Sequence, residues 1–113
     1  MSFLLRLLVT AAVAFGLAEL LPGVKVDTYW TALIFALILA ILNFIVKPIL
    51  VILTLPVTIL TLGLFLFIIN AIVVLLAARF VKGISITNIW WAVIFALLLS
   101  LITSVIMKVL DKK

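Results

Sequence analysis

The chain has 113 residues and a net charge of +5, is 71% hydrophobic and only 10% charged, and has a mean hydropathy of +1.74. A soluble domain of this length exposes too much surface to hide so much apolar side chain, so composition excludes a soluble globular fold. It leaves little for catalysis: His and Cys are absent, and the only carboxylates, Glu19, Asp27 and Asp111, lie far apart, so no enzyme, metal site or cofactor is expected.

Four apolar runs are long enough to cross a hydrocarbon core of about 30 Å: Phe3–Leu21, Trp30–Val46, Gly63–Val81 and Trp90–Val109. The first has the outline of a leader peptide, with Arg6 near its start and small residues after its apolar stretch. An internal repeat argues that it is retained as a helix. Shifted by sixty positions, "WTALIFALIL" (30–39) lies over "WWAVIFALLL" (90–99) with seven of ten residues identical, and Gly23 and Trp30 lie over Gly83 and Trp90. Each unit is a two-span hairpin, 3–46 and 63–110, so both enter the membrane from the same side. Such parallel repeats are related by an axis along the membrane normal.

Between the units lies the segment 47–62. From Pro48 to Phe80 one straight helix would run about 50 Å, well beyond the bilayer core, so the chain must break. Pro48 suits the first turn of a helix, where its missing N–H is no loss. Pro56 would remove a backbone bond and clash with the preceding turn, which predicts a helix end or kink near Thr54 or Leu55. Gly63 can supply the bend into the third span, and Lys47 can anchor the entry at headgroup level. The segment is expected to be a short buried or re-entrant helix; the alternative is an extension of the third span kinked at Pro56.

"NFIVKPILVILTLPVTILTLGLFLFIINA" carries Asn43, Lys47, Pro48, Leu53, Thr54, Leu55, Pro56, Thr61, Leu62, Gly63 and Asn70. This spacing resembles the signature of the four-transmembrane phage holin family, holin superfamily IV. Length, span number and the terminal placement of charge agree with it. The resemblance implies a small multi-pass bacterial membrane protein and, from the family's name, pore formation during phage lysis.

Asn43 and Asn70 lie in or at the edge of spans, where polar groups are costly without partners. In the sixty-residue register Thr10 matches Asn70 and Asn43 matches Thr103, a pattern that fits interhelical hydrogen bonds or an ion or water path. Ala32, Ala36 and Ala40 in the second span, and Ala92, Ala96, Ser100 and Ser104 in the fourth, form small-xxx-small faces for close helix packing, within one chain or between copies. Ala12 and Gly16 form a weaker version in the first. Glu19 and Arg79 are equivalent in the register and could form an ion pair, or snorkel separately. Trp30, Trp90 and Trp91 fit an interfacial aromatic belt.

The eight basic residues sit singly or in pairs at the ends of apolar runs, as in membrane proteins, so nucleic acid is not an expected partner. Arg6, Lys47, Lys108, Lys112 and Lys113 fall on one side and Lys25, Arg79 and Lys82 on the other, which favours cytoplasmic termini. The sequence thus reads as an all-α integral membrane protein of the bacterial inner membrane: two tandem hairpins around a Pro-broken segment. Its expected partners are the lipid bilayer and either further copies or a larger membrane complex. Holin-like activity, an accessory or envelope-maintenance role, and a small transporter remain open.

Overall fold

The computed structural model describes residues 3–111; Lys112 and Lys113, used above in the charge count, lie outside them. The described chain folds into five helices and two short strands: α1 (Phe3–Leu20), β1 (Val24–Val26), α2 (Tyr29–Leu53), α3 (Leu55–Leu60), α4 (Phe65–Arg79), β2 (Ile84–Ile86) and α5 (Ile89–Asp111). α1, α2 and α5 are long and apolar enough to cross a membrane. α4, with 15 residues, is shorter than the span Gly63–Val81 read from the sequence. It covers about 22 Å at 1.5 Å per residue.

Polar residues ahead of the apolar runs set two helix starts. Thr28 Oγ1 accepts from the Thr31 N–H at 3.1 Å, and Asn88 Oδ1 accepts from the Trp91 N–H at 3.1 Å, so each satisfies an amide that the first turn leaves free. The four long helices form a ring in which α1 neighbours α2 and α5, and α4 neighbours the same two. α1 and α4 therefore stand at opposite corners, as do α2 and α5.

The strands are the feature that periodicity did not foretell. β1 and β2 pair antiparallel, with Val24 opposite Ile86, Lys25 opposite Ser85 and Val26 opposite Ile84. The Asp27 N–H donates to the Gly83 carbonyl at 2.8 Å, and the Thr87 N–H donates to the Gly23 carbonyl at 2.9 Å. Pairing satisfies backbone groups that two separate loops would leave open, which matters next to lipid. Gly23 is buried and packs so closely against Trp91 that a Cβ there would overlap the indole. Gly83 has φ +94, and its position faces Thr31.

The centre of the ring is packed. Phe35 from α2 and Phe95 from α5 are both fully buried, and Val13, Leu17, Ile69 and Val73 from the other two helices join them. Ala11, Ala32 and Ala36 form a second cluster that brings α1 against α2. Ala71, Ala92 and Ala96 are buried as well. The face of α1 is thus not the one expected, because Ala12 and Gly16 are exposed while Ala11 and Ala14 are buried. The two longer stripes also divide, since Ala40 is half-buried and Ser100 and Ser104 are exposed.

The corner between the halves departs from expectation at Pro48 and in the exposure of the helix beyond it, and agrees with it at Pro56. α2 continues through Lys47 and Pro48, so Pro48 is a helix-interior residue and opens no new helix. Continuation places Leu50 and Val51 against the core, contacts that a break at Pro48 would forgo. Proline inside a membrane helix is tolerated when neighbours support the turn it weakens. The helix ends where Pro56 demands: Thr54 caps α2, and Pro56 sits in the first turn of α3. Thr54 Oγ1 donates to the Leu50 carbonyl at 2.7 Å. Thr61 Oγ1 donates to the Val57 carbonyl at 3.0 Å and accepts from the Phe65 N–H at 3.1 Å, which stitches α3 to α4. Leu62 (φ 57) and Gly63 (φ 88) then turn the chain through left-handed backbone. α3 has no buried residue, and Ile59 and Leu60 are 70% and 83% exposed. Of the expected buried or re-entrant helix, burial within the chain is thus not found, because among the described elements α3 lies outside the ring and touches only α2 and α4.

Candidate functional site

Beside the packed centre, α1, α2 and α5 leave a cavity of about 490 Å³. Helical spacing explains how it comes to be polar. Arg6 and Thr10 are four apart on α1; Ala36, Ala40 and Asn43 follow one face of α2; Ser100, Thr103 and Ser104 follow one face of α5. The small side chains of Ala36, Ala40 and Ser100 leave the room. Leu7, Leu39, Phe44, Leu99 and Met107 complete the wall with apolar surface.

No hydrogen bond within the described chain uses the side chains of Thr10, Asn43, Ser100, Thr103 or Ser104. Thr103 Oγ1 is covered from solvent and has no partner. The interhelical hydrogen bonds expected of Asn43 and Thr103 are therefore not made inside one chain. Asn70 lies half-buried on α4, outside the cavity. Among the described residues Arg6 is the only charged one in the lining, and no carboxylate joins it.

The other residues singled out in the sequence serve elsewhere. Lys47, Pro48, Thr54, Pro56, Thr61 and Gly63 belong to the end of α2 and the corner beyond it. Ala32, Ala92 and Ala96 pack helices within the chain. Among the described residues Glu19 and Arg79 form no ion pair, and both are exposed. They end α1 and α4, which occupy opposite corners of the ring, so equivalence in the repeat keeps them apart. Arg79 instead lines a groove with Ser85 beside β2. Trp30 and Trp90 are each 70% exposed, as an interfacial belt requires, whereas Trp91 is half-buried.

The sixty-residue register pairs Thr10 and Thr103 with the asparagines but does not place them in one site with Arg6. The four-residue spacing of Arg6 and Thr10, set beside the Ser100–Thr103–Ser104 face, was the available signal. Among the described residues no group of His, Cys, Asp and Glu is arranged to hold a metal ion.

Residues 1–105 match a family described as mycobacterial 4 TMS phage holin, superfamily IV. The chain is 39% identical to an uncharacterized membrane protein, YvlD, of Bacillus subtilis (strain 168), over 95% of this chain and 94% of that one. It is 36% identical to an uncharacterized protein of Streptomyces coelicolor, over 65% of this chain and 62% of that one. No solved structure matches it.

Proposed function

The chain belongs to the mycobacterial four-span phage holin superfamily IV, and from that premise we propose that it is a holin-like, non-enzymatic protein of the bacterial inner membrane, with both termini cytoplasmic, that acts through assembly in the bilayer plane. One observation carries the reading: the centre of the bundle is filled by Phe35, Phe95 and their neighbours, so a single copy has no aqueous path of its own. Permeation would require several copies around a shared opening.

The reading treats the chain as two tandem hairpin units related by a twofold axis along the membrane normal. Support comes from the strand pairing, since Val24 and Ile84, and Val26 and Ile86, are sixty positions apart and each pairs with the other unit's opposite member. The reciprocal bonds of Asp27 with Gly83 and of Thr87 with Gly23 follow the same operation, as do the caps Thr28 and Asn88. The outward apolar face of α3 suits contact with lipid, along the interface or in a shallow re-entry.

A second reading, an accessory subunit packed against a larger membrane complex or serving envelope maintenance, is favoured by one observation. Away from the cleft the outer faces of α2 and α5 are apolar throughout, with Ile34, Leu37, Ile41, Ile94, Leu97 and Leu101 exposed and no polar stripe to line a pore. Induced expression with simultaneous recording of membrane potential and dye leakage separates the two. Depolarisation with leakage supports the holin-like reading. Intact potential, with the protein recovered in a larger complex, overturns it in favour of the accessory role.

A further inference from the structure

We propose that the cleft between α1, α2 and α5 binds one anionic phospholipid, holding its phosphate at Arg6 and its glycerol region among Thr10, Asn43, Ser100 and Thr103. The proposal rests on the chain lying in the bilayer, and on neither pore formation nor the identity of the cytoplasmic face.

The polar groups in the cleft need a partner from outside the chain. Hydroxyl and amide groups next to hydrocarbon are costly when unbonded, and Thr103 Oγ1 is both covered and unbonded. Water alone would satisfy them, but it would also wet the wall made by Leu7, Leu39, Phe44 and Leu99. An amphiphile satisfies both surfaces at once. A second copy presenting its apolar faces would not, because they would leave Arg6 and the hydroxyls unpaired.

Charge selects the headgroup. Arg6 lies near the N-terminus of α1, and its Cα–Cβ bond tilts toward that end, which brings the guanidinium to the mouth of the cleft. Guanidinium makes paired, charge-assisted bonds to phosphate oxygens. Thr10 lies one turn deeper on α1, and Ser100 one turn deeper than Ser104 on α5, so hydroxyls follow the charge inward. Phosphate, then glycerol esters, then acyl chains is the order in which a glycerophospholipid would meet them. A choline or ethanolamine ammonium would find no carboxylate among the described residues of the lining; Asp111 lies a turn beyond Met107, outside it. An uncharged glycerol headgroup on an anionic phosphate faces no such mismatch.

The test is purification of the full chain in mild detergent, followed by titration with phosphatidylglycerol, phosphatidylcholine or water-soluble glycerol phosphate. Bound lipid is counted by native mass spectrometry and thermal unfolding is followed in parallel. One phosphatidylglycerol per chain should be retained, about tenfold more tightly than phosphatidylcholine, whose phosphate can meet Arg6 equally well but whose ammonium would lie unpaired beside the guanidinium. Arg6→Gln should remove that preference, Arg6→Lys should restore part of it, and Thr103→Val should weaken retention of both lipids. Glycerol phosphate should neither bind nor raise the unfolding temperature. Equal retention of the two lipids, binding of glycerol phosphate as strong as that of the lipid, or cysteine crosslinks from Ser104 to a second copy with no lipid retained would each overturn the proposal.

Discussion

Phe35 and Phe95 come from opposite corners of the helix ring and meet at its centre, with ring centroids 6.0 Å apart and planes inclined at 46°. Neither ring reaches the outside. Phe35→Ala or Phe95→Ala should therefore open a cavity that the diagonal helices cannot close, at a cost of about 3–5 kcal/mol. The double variant should be less damaging than the sum of the singles, because the second truncation removes a ring whose partner is already gone. Unfolding in detergent micelles measures all three. Losses below about 0.5 kcal/mol in both single variants would mean that the centre is held by other contacts.

The glycines beside the strands bear on the opposite end. A methyl group at Gly23 would overlap the indole of Trp91, so Gly23→Ala should destabilise by about 1–3 kcal/mol through overpacking. Trp91→Ala in the same chain should recover part of that loss. At Gly83 the obstacle is the backbone: with φ +94, alanine should cost about 1 kcal/mol or more, and a change at Thr31 should not rescue it. Circular dichroism melts of the four variants in one detergent decide the matter. Full recovery at Gly83 on removal of the Thr31 side chain would show that space, rather than φ, is limiting there.

How far these features were legible follows from their physics. The helical runs announce themselves by hydropathy, and Pro56 marks the end of α2 because a missing N–H acts locally. Pro48 misled for the complementary reason: its local penalty is outweighed by the contacts of Leu50 and Val51 beyond it, which no local pattern reveals. The strands Val24–Val26 and Ile84–Ile86 are too short for alternation to register, and they form only because the two halves bring them side by side. The cleft was half legible. Helical spacing placed Ser100 and Ser104 on a small-residue face, but only the ring arrangement shows that this face looks onto Arg6 and Asn43 instead of a packed neighbour.

The alanine faces give a prediction about assembly. Ala36 is buried with Ala11 and Ala32, and Ala96 is buried in the core. Ala36→Leu and Ala96→Leu should each lower stability by about 1–3 kcal/mol. The contacts are within one chain, so the loss should not depend on protein concentration. Leu37→Ala, at a position 41% exposed, should do much less. Thermal melts across a tenfold dilution series, read beside analytical ultracentrifugation, check this. A loss that appears only on dilution, with smaller species, would assign these faces to contacts between copies.

Orientation is testable at Asp27, exposed beside the strand pair and at the opposite end of the bundle from Arg6. The basic residues favour cytoplasmic termini. Asp27→Cys should then react with a membrane-impermeant reagent added to intact cells, and a cytoplasmic reporter fused after Lys113 should be active. Protection of the cysteine, together with activity of a periplasmic reporter at the same fusion point, would invert the topology.

The corner between the halves yields a pair of opposed predictions. Pro56 has no N–H to offer the Ile52 carbonyl, and its ring stands against the preceding turn, so α2 stops at Leu53 with Thr54 as its cap. Pro56→Ala restores the donor and removes the clash. α2 and α3 should then tend to fuse, swinging residues 55–62 away from the start of α4 and weakening the Thr61 bridge to Phe65. Spin labels at Leu53 and Leu60 should report a longer, narrower distance distribution in the variant. Leu62 acts in the other direction. A leucine held at φ 57 carries a penalty of roughly 1 kcal/mol that glycine does not, and its side chain is 92% exposed. Leu62→Gly should therefore leave the corner intact and hold or raise the melting temperature. If Leu62→Gly instead destabilises the protein strongly, the exposed leucine is making contacts outside this chain, and lipid or a neighbouring copy at the corner would have to be counted among the forces that hold the turn.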